Sequence, residues 1–427
     1  MKFNKKFLAF SLVLSILSVG AVADIKTEKN LDELINIALQ NSVEIQASKA
    51  DMEAKDASID YASSSYLPQV FVQGELAKYD IEVDRDTVVG TTAKVDQLLY
   101  DFGGTSSNIG AAKSAYDASL KQLDSTSNFV VISVKKAYYN ILNKNQLINV
   151  AKEAVKIDEL QLEQSKEYFK AGVRTRIDVT NAQLQLSNSK LDLLKAEFGL
   201  ESANTALISI LGVNLEKNFS VKKDDTNIVS LAKTIVPIMS KTDDLIKSGL
   251  ENRAEIALYK ANIDVSQSKL EAVQSEYYPK IILNASYNDK NTDLVSLDNR
   301  QMSAGVYIKW DIFSGFSSEA KVKENLAKLR KSKIDLREVK LKITEEITDA
   351  YLEVKKSEDS TKMQILSVDL ATQKLSLAQQ RYKAGLSDMV ELNDAKLGYT
   401  KSKGDLVNTY YSYLLSIANL EYMIGKR

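Results

Sequence analysis

The sequence contains one large internal duplication, in which residues 41–212 recur in diverged form as residues 252–425. Matching residues lie 211 positions apart in the first part of the repeat and 213 positions apart beyond a two-residue insertion. The matched pairs include Asn41 and Asn252, Pro68 and Pro279, Phe102 and Phe313, Gly172 and Gly385, and Gly212 and Gly425. Such a period is far longer than the roughly 20 to 50 residues of solenoid repeats. The duplication therefore predicts two copies of one large structural unit.

The N-terminus predicts a secretory signal peptide over residues 1–23. Three lysines precede an apolar run, and small residues follow it in the pattern of a cleavage site. These features are Lys2, Lys5, Lys6, the run from Phe7 to about Val19, and Ala21, Val22 and Ala23. The alternative is a retained membrane anchor, but the run is shorter than the roughly 20 residues that a spanning helix needs. No comparable apolar run follows, so a role in the membrane would have to come from strands.

The composition disfavours an enzyme. The chain has no cysteine and no histidine, so it lacks thiolates, the commonest general base and the common transition-metal ligands. Its 56 basic and 57 acidic residues nearly balance, without the concentrated basic surface that nucleic-acid binding needs. We therefore expect no catalytic residue, no cofactor, no metal ion and no nucleic-acid partner.

The longest uninterrupted segments predict very long helices. From Ser106 to Ala171 there is no proline, and the one glycine, Gly110, lies near the start. As a helix, this segment would be roughly 100 Å long. Apolar residues recur every seven positions in both copies, which indicates supercoiled packing against neighbouring helices. The two outgoing rows are Val134, Ile141, Ile148, Val155, Leu162 and Phe169, and Ile347, Val354, Thr361, Val368, Leu375 and Tyr382.

A second set of heptad rows predicts that each long helix is followed by a returning one. These rows are Leu186, Leu193, Leu200 and Leu207, and Tyr399, Leu406, Tyr413 and Leu420. Gly172 and Gly385 lie between the outgoing and returning segments, where glycine can provide the positive-φ helix stop. We therefore predict antiparallel helical hairpins at about residues 105–212 and 316–425. From the heptads alone, an isolated two-stranded coiled coil remains an equal alternative.

Each copy also carries two stretches of period-two alternation ahead of its long hairpin. The predicted strands are at about residues 66–83, 91–102, 277–288 and 301–313, with turns over Asp84–Gly90 and Asp289–Arg300. One face of these strands is apolar and the other is polar. The apolar positions include Val70, Val72, Leu76, Ala93, Val95, Ile281, Leu283, Ala285, Met302, Ala304, Val306 and Ile308. The pattern suits a transmembrane barrel with a wet interior, although a soluble β-sandwich would show the same alternation.

Two strand pairs cannot close a barrel by themselves. Even the smallest membrane barrel has about 8 strands, and lipid tolerates no open edge. We therefore expect the chain to assemble with copies of itself, and three chains would supply twelve strands. The predicted fold is mainly α with a small β part. It has a first repeat at residues 24–212, a polar linker at residues 213–241 wrapping the outside of the hairpins, and a second repeat at residues 242–425.

Three short segments, each present in both copies, resemble the TolC family of outer-membrane efflux proteins. The strand entries are Tyr66-Leu67-Pro68-Gln69 and Tyr277-Tyr278-Pro279-Lys280. The strand exits are Tyr100-Asp101-Phe102-Gly103-Gly104 and Asp311-Ile312-Phe313-Ser314-Gly315. The hairpin tips are Tyr168-Phe169-Lys170-Ala171-Gly172 and Arg381-Tyr382-Lys383-Ala384-Gly385. The resemblance spans essentially the whole mature sequence.

The resemblance implies a passive export duct of a tripartite efflux or type I secretion system. It would be a homotrimer, in which a twelve-stranded transmembrane β-barrel in the outer membrane continues into a trimeric α-barrel through the periplasm. Its partners would be a periplasmic adaptor protein, an inner-membrane transporter of the RND or ABC type, and outer-membrane lipid. The alternative function is that of the periplasmic adaptor itself, which also uses a long helical hairpin. An adaptor would have a single hairpin beside lipoyl-like domains, so the repeated strand pairs disfavour it.

The resemblance also implies a gate at the periplasmic hairpin tips. Tyr382 aligns with the family's gate tyrosine, and Asp178 aligns with the acidic residue that it bonds across neighbouring hairpins. Ser387 replaces the family's basic gate residue, and the residues expected to supply the missing charge are Arg174 and Arg176. Glu391 and Asp394, with Asp388 on the same face, align with an acidic ring at the narrowest opening. The alternative for each tip residue is a solvated position at a helix end.

Overall fold

The computed structural model describes residues 28–81, 84–213, 220–222, 226–291 and 300–426. The predicted signal peptide lies outside the described residues. Two long helical hairpins dominate the described chain, and each is preceded in sequence by two strands of one four-stranded antiparallel sheet. The prediction of a mainly helical fold with a small β part is confirmed.

Corresponding helices in the two halves of the chain have nearly equal lengths. The first half contains β1 Glu28–Lys29, α1 Leu31–Asn41, α2 Val43–Ser63, β2 Gln69–Ile81, β3 Asp84–Tyr100, α3 Gly104–Lys170 and α4 Arg176–Leu211. After β4 Ser220–Val221 and α5 Ile228–Ala232, the second half contains α6 Thr242–Asn252, α7 Ala254–Gln274, β5 Lys280–Asn291, β6 Arg300–Lys309, α8 Ser317–Lys383 and α9 Met389–Met423. Helices α3 and α8 have 67 residues each, and α2 and α7 have 21 each.

Both long hairpins turn at a glycine. Gly172 and Gly385 have φ angles of 72° and 75°, a left-handed conformation that glycine adopts without steric strain. In the second hairpin the amide of Leu386 donates to the carbonyl of Arg381 (2.8 Å), and an equivalent bond closes the first hairpin. These bonds satisfy carbonyls that the helix ends would otherwise leave free.

The outgoing heptad row is buried more completely in the second hairpin than in the first. Every second-copy residue of the row, from Ile347 to Tyr382, is at most 6% exposed. Thr361 fits this row because its hydroxyl donates to the carbonyl of Ser357 (2.7 Å) within the same helix. In the first hairpin, Phe169 at the end of the row is 46% exposed.

The sheet has the strand order β2-β3-β5-β6, and every neighbouring pair is antiparallel. The predicted turn over Asp84–Gly90 is wrong, because these residues form the first part of β3 and pair with Glu75–Ile81 of β2. Strand β2 begins at Gln69, after a 3₁₀ turn over Ser64–Tyr66. Most of the second predicted turn, residues 292–299, lies outside the described part of the chain.

The strand register places the predicted apolar residues on one face of the sheet. Val70 pairs with Val95, which pairs with Ala285, which pairs with Ala304, and cross-strand partners point to the same side. Many of these side chains are exposed in the single chain: Val70, Val72, Leu76, Met302, Val306 and Ile308 are 61–80% exposed. The opposite face is polar over most of its length, and the apolar and aromatic residues Phe71, Leu98, Ile282 and Tyr307 lie on it towards the helical end of the sheet.

Hydrogen bonds cross-link the polar face of the sheet. Asn284 donates to Asp96 of the neighbouring strand (2.5 Å), and the hydroxyl of Thr92 donates to Asn288 (2.9 Å). Lys94 lies 2.7 Å from Asp96 on the same strand. The polar side chains of this face therefore hold each other across neighbouring strands.

The segment predicted as a polar linker contributes to the helical core. Strand β4 pairs in parallel with β1, and the Val221 side chain is only 3% exposed. Helix α5 buries Ile228 and Ala232 in the same hydrophobic cluster as Leu34 of α1 and Val134 of α3. The apolar residues of this stretch are too few and too widely spaced to give a periodic signal, so the sequence did not predict the contact. Residues 214–219 and 223–225 lie outside the described part.

The helices contact one another in two arrangements along the length of the molecule. In the half nearer the sheet the neighbours are α2 and α3, α3 and α7, and α7 and α8, whereas towards the tips they are α4 and α3, α3 and α9, and α9 and α8. In each half the four helices therefore form a row. Helix α8 lies at one end of the row in both halves, and the other end is α2 near the sheet and α4 near the tips. Among the described residues, no helix is both long and apolar enough to cross a membrane.

Candidate functional site at the hairpin tips

The first hairpin tip is organised around the carboxylate of Asp178. Its Oδ2 accepts hydrogen bonds from the backbone amide (3.0 Å) and the hydroxyl (2.9 Å) of Thr175, which precedes α4. A carboxylate in the first turn of a helix also faces the positive end of the helix dipole. Asp178 is therefore bonded within its own tip and stabilises the start of α4. Arg176, the first residue of that helix, is exposed.

The second hairpin tip holds the three acidic residues expected at the ring. Asp388 precedes α9 and accepts a hydrogen bond from the amide of Glu391 (2.9 Å), so it caps the helix. Glu391 lies 2.9 Å from Nε of Arg381, and Asp394 lies 2.6 Å from Nζ of Lys374. Both partners belong to α8 of the same hairpin. In the single chain, Glu391 and Asp394 are thus paired with basic residues, while their side chains remain 41% and 68% exposed.

Arg174 joins the two tips of the chain. Its guanidinium donates to the carbonyl of Ser387 (2.8 Å) and lies 4.8 Å from the centre of the Tyr382 ring. Ser387 is the position where the resemblance implies a basic residue, and Arg174 brings a cation to that place from the other hairpin. That Arg174 replaces the missing basic residue in a gate stays a prediction.

Tyr382 lies inside the contact between the two hairpins. It is 1% exposed and packs with Tyr168, Leu375 and Met389, and its ring centre is 6.1 Å from that of Tyr168. Its hydroxyl is buried and has no hydrogen-bond partner within the described residues. A bond from Tyr382 to Asp178 is therefore not formed inside this chain. The expected bond between neighbouring hairpins requires a second chain and stays a prediction.

Sequence reasoning missed a buried polar cluster behind the second tip. Lys396 of α9 contacts Asp158 of α3 (2.5 Å), and the hydroxyl of Ser189 of α4 donates to the same carboxylate oxygen (2.5 Å). The side chains of Lys396 and Asp158 are 5% and 2% exposed. A lysine on an otherwise amphipathic helix has no local feature that marks it as buried, because its neighbours come from distant parts of the chain.

A second polar contact between α3 and α9 lies farther from the tips. Glu153 of α3 accepts a hydrogen bond from the hydroxyl of Tyr399 (2.7 Å) and forms an ion pair with Lys403. Partial burial raises the pKa of the Glu153 carboxyl, but the hydrogen bonds and charge of its partners outweigh this effect. The pKa of Glu153 consequently lies below its usual range, so the pair remains charged at neutral pH.

A band of exposed aromatic residues surrounds the junction between helices and sheet. It consists of Tyr66, Tyr100, Phe102, Tyr277, Tyr278, Trp310, Phe313 and Phe316, which are 40–75% exposed. Aromatic residues collect at membrane–water interfaces, where their rings contact both lipid and headgroups. Together with the exposed apolar face of the sheet, this band marks where a bilayer surface would lie.

Comparison with known proteins identifies the family of this chain. The sequence profile described as outer membrane efflux protein matches residues 34–213 and again residues 245–426. The chain belongs to the outer membrane efflux protein family. The two matched segments coincide with the two helical hairpins and the strands that precede them. The resemblance to the TolC family is thereby confirmed.

Individual members of the family are distant in sequence and similar in structure. The outer membrane protein TolC of Vibrio cholerae is 21% identical over 96% of this chain and 93% of its own length. The alkaline protease secretion protein AprF of Pseudomonas aeruginosa is 20% identical over 91% of this chain and 83% of its own length. A crystal structure of CusC superposes with a TM-score of 0.81 at 17% identity and covers 96% of both chains.

Family membership decides the general function. The protein is an outer-membrane channel of the efflux and secretion class and is not an enzyme. The alternative of a periplasmic adaptor is not favoured, because the family match covers both repeats with their strand pairs.

Proposed function

We propose that the protein is a passive, homotrimeric export duct that crosses the outer membrane and extends into the periplasm. The observation that carries this proposal is the sheet, in which β2 and β6 are edge strands and one face is apolar and exposed. In a bilayer both edges must be paired, and four strands are too few to close on themselves. Pairing of β6 with β2 of the next chain closes a twelve-stranded barrel from three chains.

The helices offer matching surfaces for the same assembly. Towards the tips, the helices at the two ends of the row, α4 and α8, both carry exposed apolar residues at a spacing of seven. On α4 these are Ile177, Leu184, Leu191 and Phe198, 50–70% exposed, and on α8 they are Met363, Leu370 and Leu377, 56–69% exposed. Packing α4 against α8 of the next chain would bury both rows. A head-to-tail contact between two different surfaces generates a closed ring when the rotation from one chain to the next divides a full turn evenly.

Nearer the sheet, the end members α2 and α8 carry opposite charges. Glu53 and Asp60 on α2 are exposed, as are Arg330 and Arg337 on α8, and none of them has an ion-pair partner in the described part of the chain. Both pairs have a spacing of seven residues. Because α2 runs towards the sheet and α8 away from it, the two helices would be antiparallel across the contact.

Contacts within the chain indicate which parts of α2 and α8 would meet. Ser58 of α2 and Val265 of α7 line the same groove, and Ser266 of α7 hydrogen-bonds Ser332 of α8 (2.8 Å). These contacts place Ser58 and Ser332 in the same part of the molecule, within about two helical turns of each other along the helix axes. In the antiparallel direction, the register that we propose pairs Asp60 with Arg330 and Glu53 with Arg337 of the next chain. Charge complementarity of this kind fixes the register between subunits.

The tips are the proposed gate. In a trimer, Glu391, Asp394 and Asp388 would converge as an acidic ring at the periplasmic opening. The buried hydroxyl of Tyr382 lacks a partner in the single chain, and Asp178 of a neighbouring hairpin is the proposed one. Arg174 holds the two tips of one chain together, and Arg176 is exposed beside it. A periplasmic adaptor and an inner-membrane transporter of the RND or ABC type would dock here and drive the cargo.

The proposal is tested with purified mature protein beginning near Asp24. Size-exclusion chromatography with light scattering should give three chains per particle after correction for detergent. Planar lipid bilayers should show low-conductance channels, because the tips are closed in the absence of partners. A monodisperse monomer that produces no conductance would contradict the proposal.

A further inference from the structure

A groove lies between α2 and α7 where these helices approach the sheet, and α3 forms its floor. Its volume is about 760 Å³, within the roughly 300 to 1,000 Å³ of small-molecule sites. The floor is made of small apolar side chains, whereas the walls carry charged and hydroxyl groups. The floor residues are Ala111, Ala112 and Ala115, and the walls contribute Lys55 and Ser58 from α2 and Lys269 from α7.

The groove carries two unpaired positive charges. Lys55 and Lys269 approach it from opposite sides of α3, and neither has an ion-pair partner in the described part of the chain. No carboxylate is among the described residues that line the groove. Clefts lined by charge of one sign raise the local concentration of the opposite ion. The groove therefore attracts anions.

A smaller pocket, between the sheet and the ends of α7 and α8, adds to the positive charge. Lys280 and Lys309 are cross-strand partners in β5 and β6, so their side chains lie next to each other on one face. Lys321 lines the same pocket and pairs with Glu276 (2.8 Å), while Asp311 lies 3.8 Å from Lys309. Lys280 has no ion-pair partner within the described residues, so ammonium groups outnumber carboxylates here as well.

The groove opens on the side of the helical wall that continues the polar face of the sheet. Gln69 lines the groove and pairs with Asp96 of that face. Lys269 precedes Glu276 by seven residues, about two helical turns, so both lie on one side of α7 and its continuation. Glu276 in turn lines the smaller pocket with Lys280 of the polar face. In the proposed channel the polar face surrounds the pore, so the groove faces the path of the cargo.

The lining of the groove determines the class of ligand. Two ammonium groups favour a ligand with more than one anionic group, and the hydroxyl of Ser65 and the amide of Asn108 can donate to its oxygens. The alanine floor, with Tyr61 82% exposed at the rim, offers apolar contact to a flat body. An inorganic ion would use the charges but not the floor. The lining therefore fits an organic anion with an apolar body.

We propose that this groove is a binding site for organic anions in the wall of the channel, with Lys55 and Lys269 as its charged contacts. The groove is formed within one chain, so binding does not require assembly. Its consequence rests on the proposed function: anionic cargo is held briefly where the helices meet the sheet, before it enters the barrel.

Because the chain has no cysteine, a single introduced thiol reports whether the groove is occupied. Ser58→Cys places the thiol in the wall of the groove, and Val173→Cys, at a residue 68% exposed in the first hairpin tip, is the control. Alkylation of the purified mature chain by N-ethylmaleimide is timed in non-ionic detergent, with and without naphthalene-1,5-disulfonate, a flat aromatic dianion. The disulfonate should slow alkylation several-fold in Ser58→Cys and leave Val173→Cys unchanged. The uncharged naphthalene-1,5-disulfonamide should have little effect on either variant.

Paired substitutions in the Ser58→Cys background test the two lysines. Each variant is assessed by the ratio of its rates with and without the disulfonate, because a lysine also changes the reactivity of a nearby thiol. Lys55→Met with Lys269→Met keeps most of the side-chain volume and should raise the half-protecting concentration roughly tenfold or more. Lys55→Arg with Lys269→Arg keeps both charges and should protect nearly as well as the unaltered groove. Lys49→Met removes an exposed lysine of α2 that does not line the groove, so it should have no effect.

Each outcome bears on the inference. A lack of protection in Ser58→Cys would overturn it, as would equal protection in the paired methionine variant or equal slowing in Val173→Cys. Equal protection by inorganic sulfate at the same concentration would overturn the assignment of an organic ligand. In planar bilayers the disulfonate should cause brief current blocks, and blocks that persist in the paired methionine variant would overturn the placement of the groove in the cargo path. If no channel forms, the proposed function fails while the thiol result still decides whether the groove binds organic anions.

Discussion

At the scale of single residues, the acidic side chains of the second tip should determine ion selectivity. Rings of carboxylates concentrate cations at a pore. Replacing Glu391 by Gln and Asp394 and Asp388 by Asn removes these charges, and Asn at position 388 still caps α9. We expect a several-fold loss of cation over anion permeability, measured as the reversal potential in a salt gradient. Asp192→Asn, which removes an exposed carboxylate paired with Lys195 on α4, is the control. Unchanged reversal potentials in the triple variant would show that these are ordinary solvated groups.

The proposed bond between Tyr382 and Asp178 of a neighbouring hairpin is also a residue-scale prediction. Tyr382→Phe combined with Asp178→Asn should raise single-channel conductance and admit large antibiotics such as vancomycin into cells. A hydrogen bond to a charged group contributes about 1.5–3 kcal/mol. Because the buried Tyr382 hydroxyl has no partner in the described chain, Tyr382→Phe alone should stabilise the single chain by about 1 kcal/mol rather than destabilise it. Wild-type conductance in the double variant would exclude the bond.

At the scale of elements, the two faces of β2 should respond differently to the same substitution. Val72 lies on the apolar face and is 70% exposed, whereas the adjacent Gln73 lies on the polar face. A lysine on the lipid side near the bilayer centre costs about 2–4 kcal/mol. We therefore expect Val72→Lys to reduce the amount of heat-modifiable oligomer in outer-membrane fractions, and Gln73→Lys to be tolerated. Equal yields of the two variants would contradict the assignment of the lipid-facing side.

At the scale of the whole molecule, the charges on α2 and α8 should contribute to holding three chains together. Arg330→Glu with Arg337→Glu places like charges across the proposed contact and should make the trimer dissociate more readily. The expected loss of association free energy is about 1 kcal/mol per pair. Adding Glu53→Arg and Asp60→Arg restores opposite charges and should restore the trimer. Native mass spectrometry at increasing ionic strength measures both effects. Lys340→Glu, on the same helix but outside the seven-residue row, is the control. Failure of the compensating variants would exclude this register while leaving the apolar contact of α4 and α8 possible.

The sequence by itself determined the elements whose signals are local. The lack of proline between Ser106 and Ala171 and the glycines at 172 and 385 predict two long hairpins, since neighbouring residues decide whether a helix continues or ends. Period-two alternation likewise assigned Val70 and Val72 to the apolar face of the sheet, because side chains alternate across a strand whatever its partner.

The tertiary structure decided what depends on partners distant in the chain. Asp84–Gly90 contains polar residues typical of a turn, yet it extends β3 because β2 supplies its hydrogen bonds. Val221 and Ile228 are core residues only because α1 and α3 exclude water around them. Lys396 is charged and would be assigned to the surface by composition, but it is buried with Asp158, 238 positions away. Burial of a charge depends on the helices that surround it, and no window of adjacent residues contains that information.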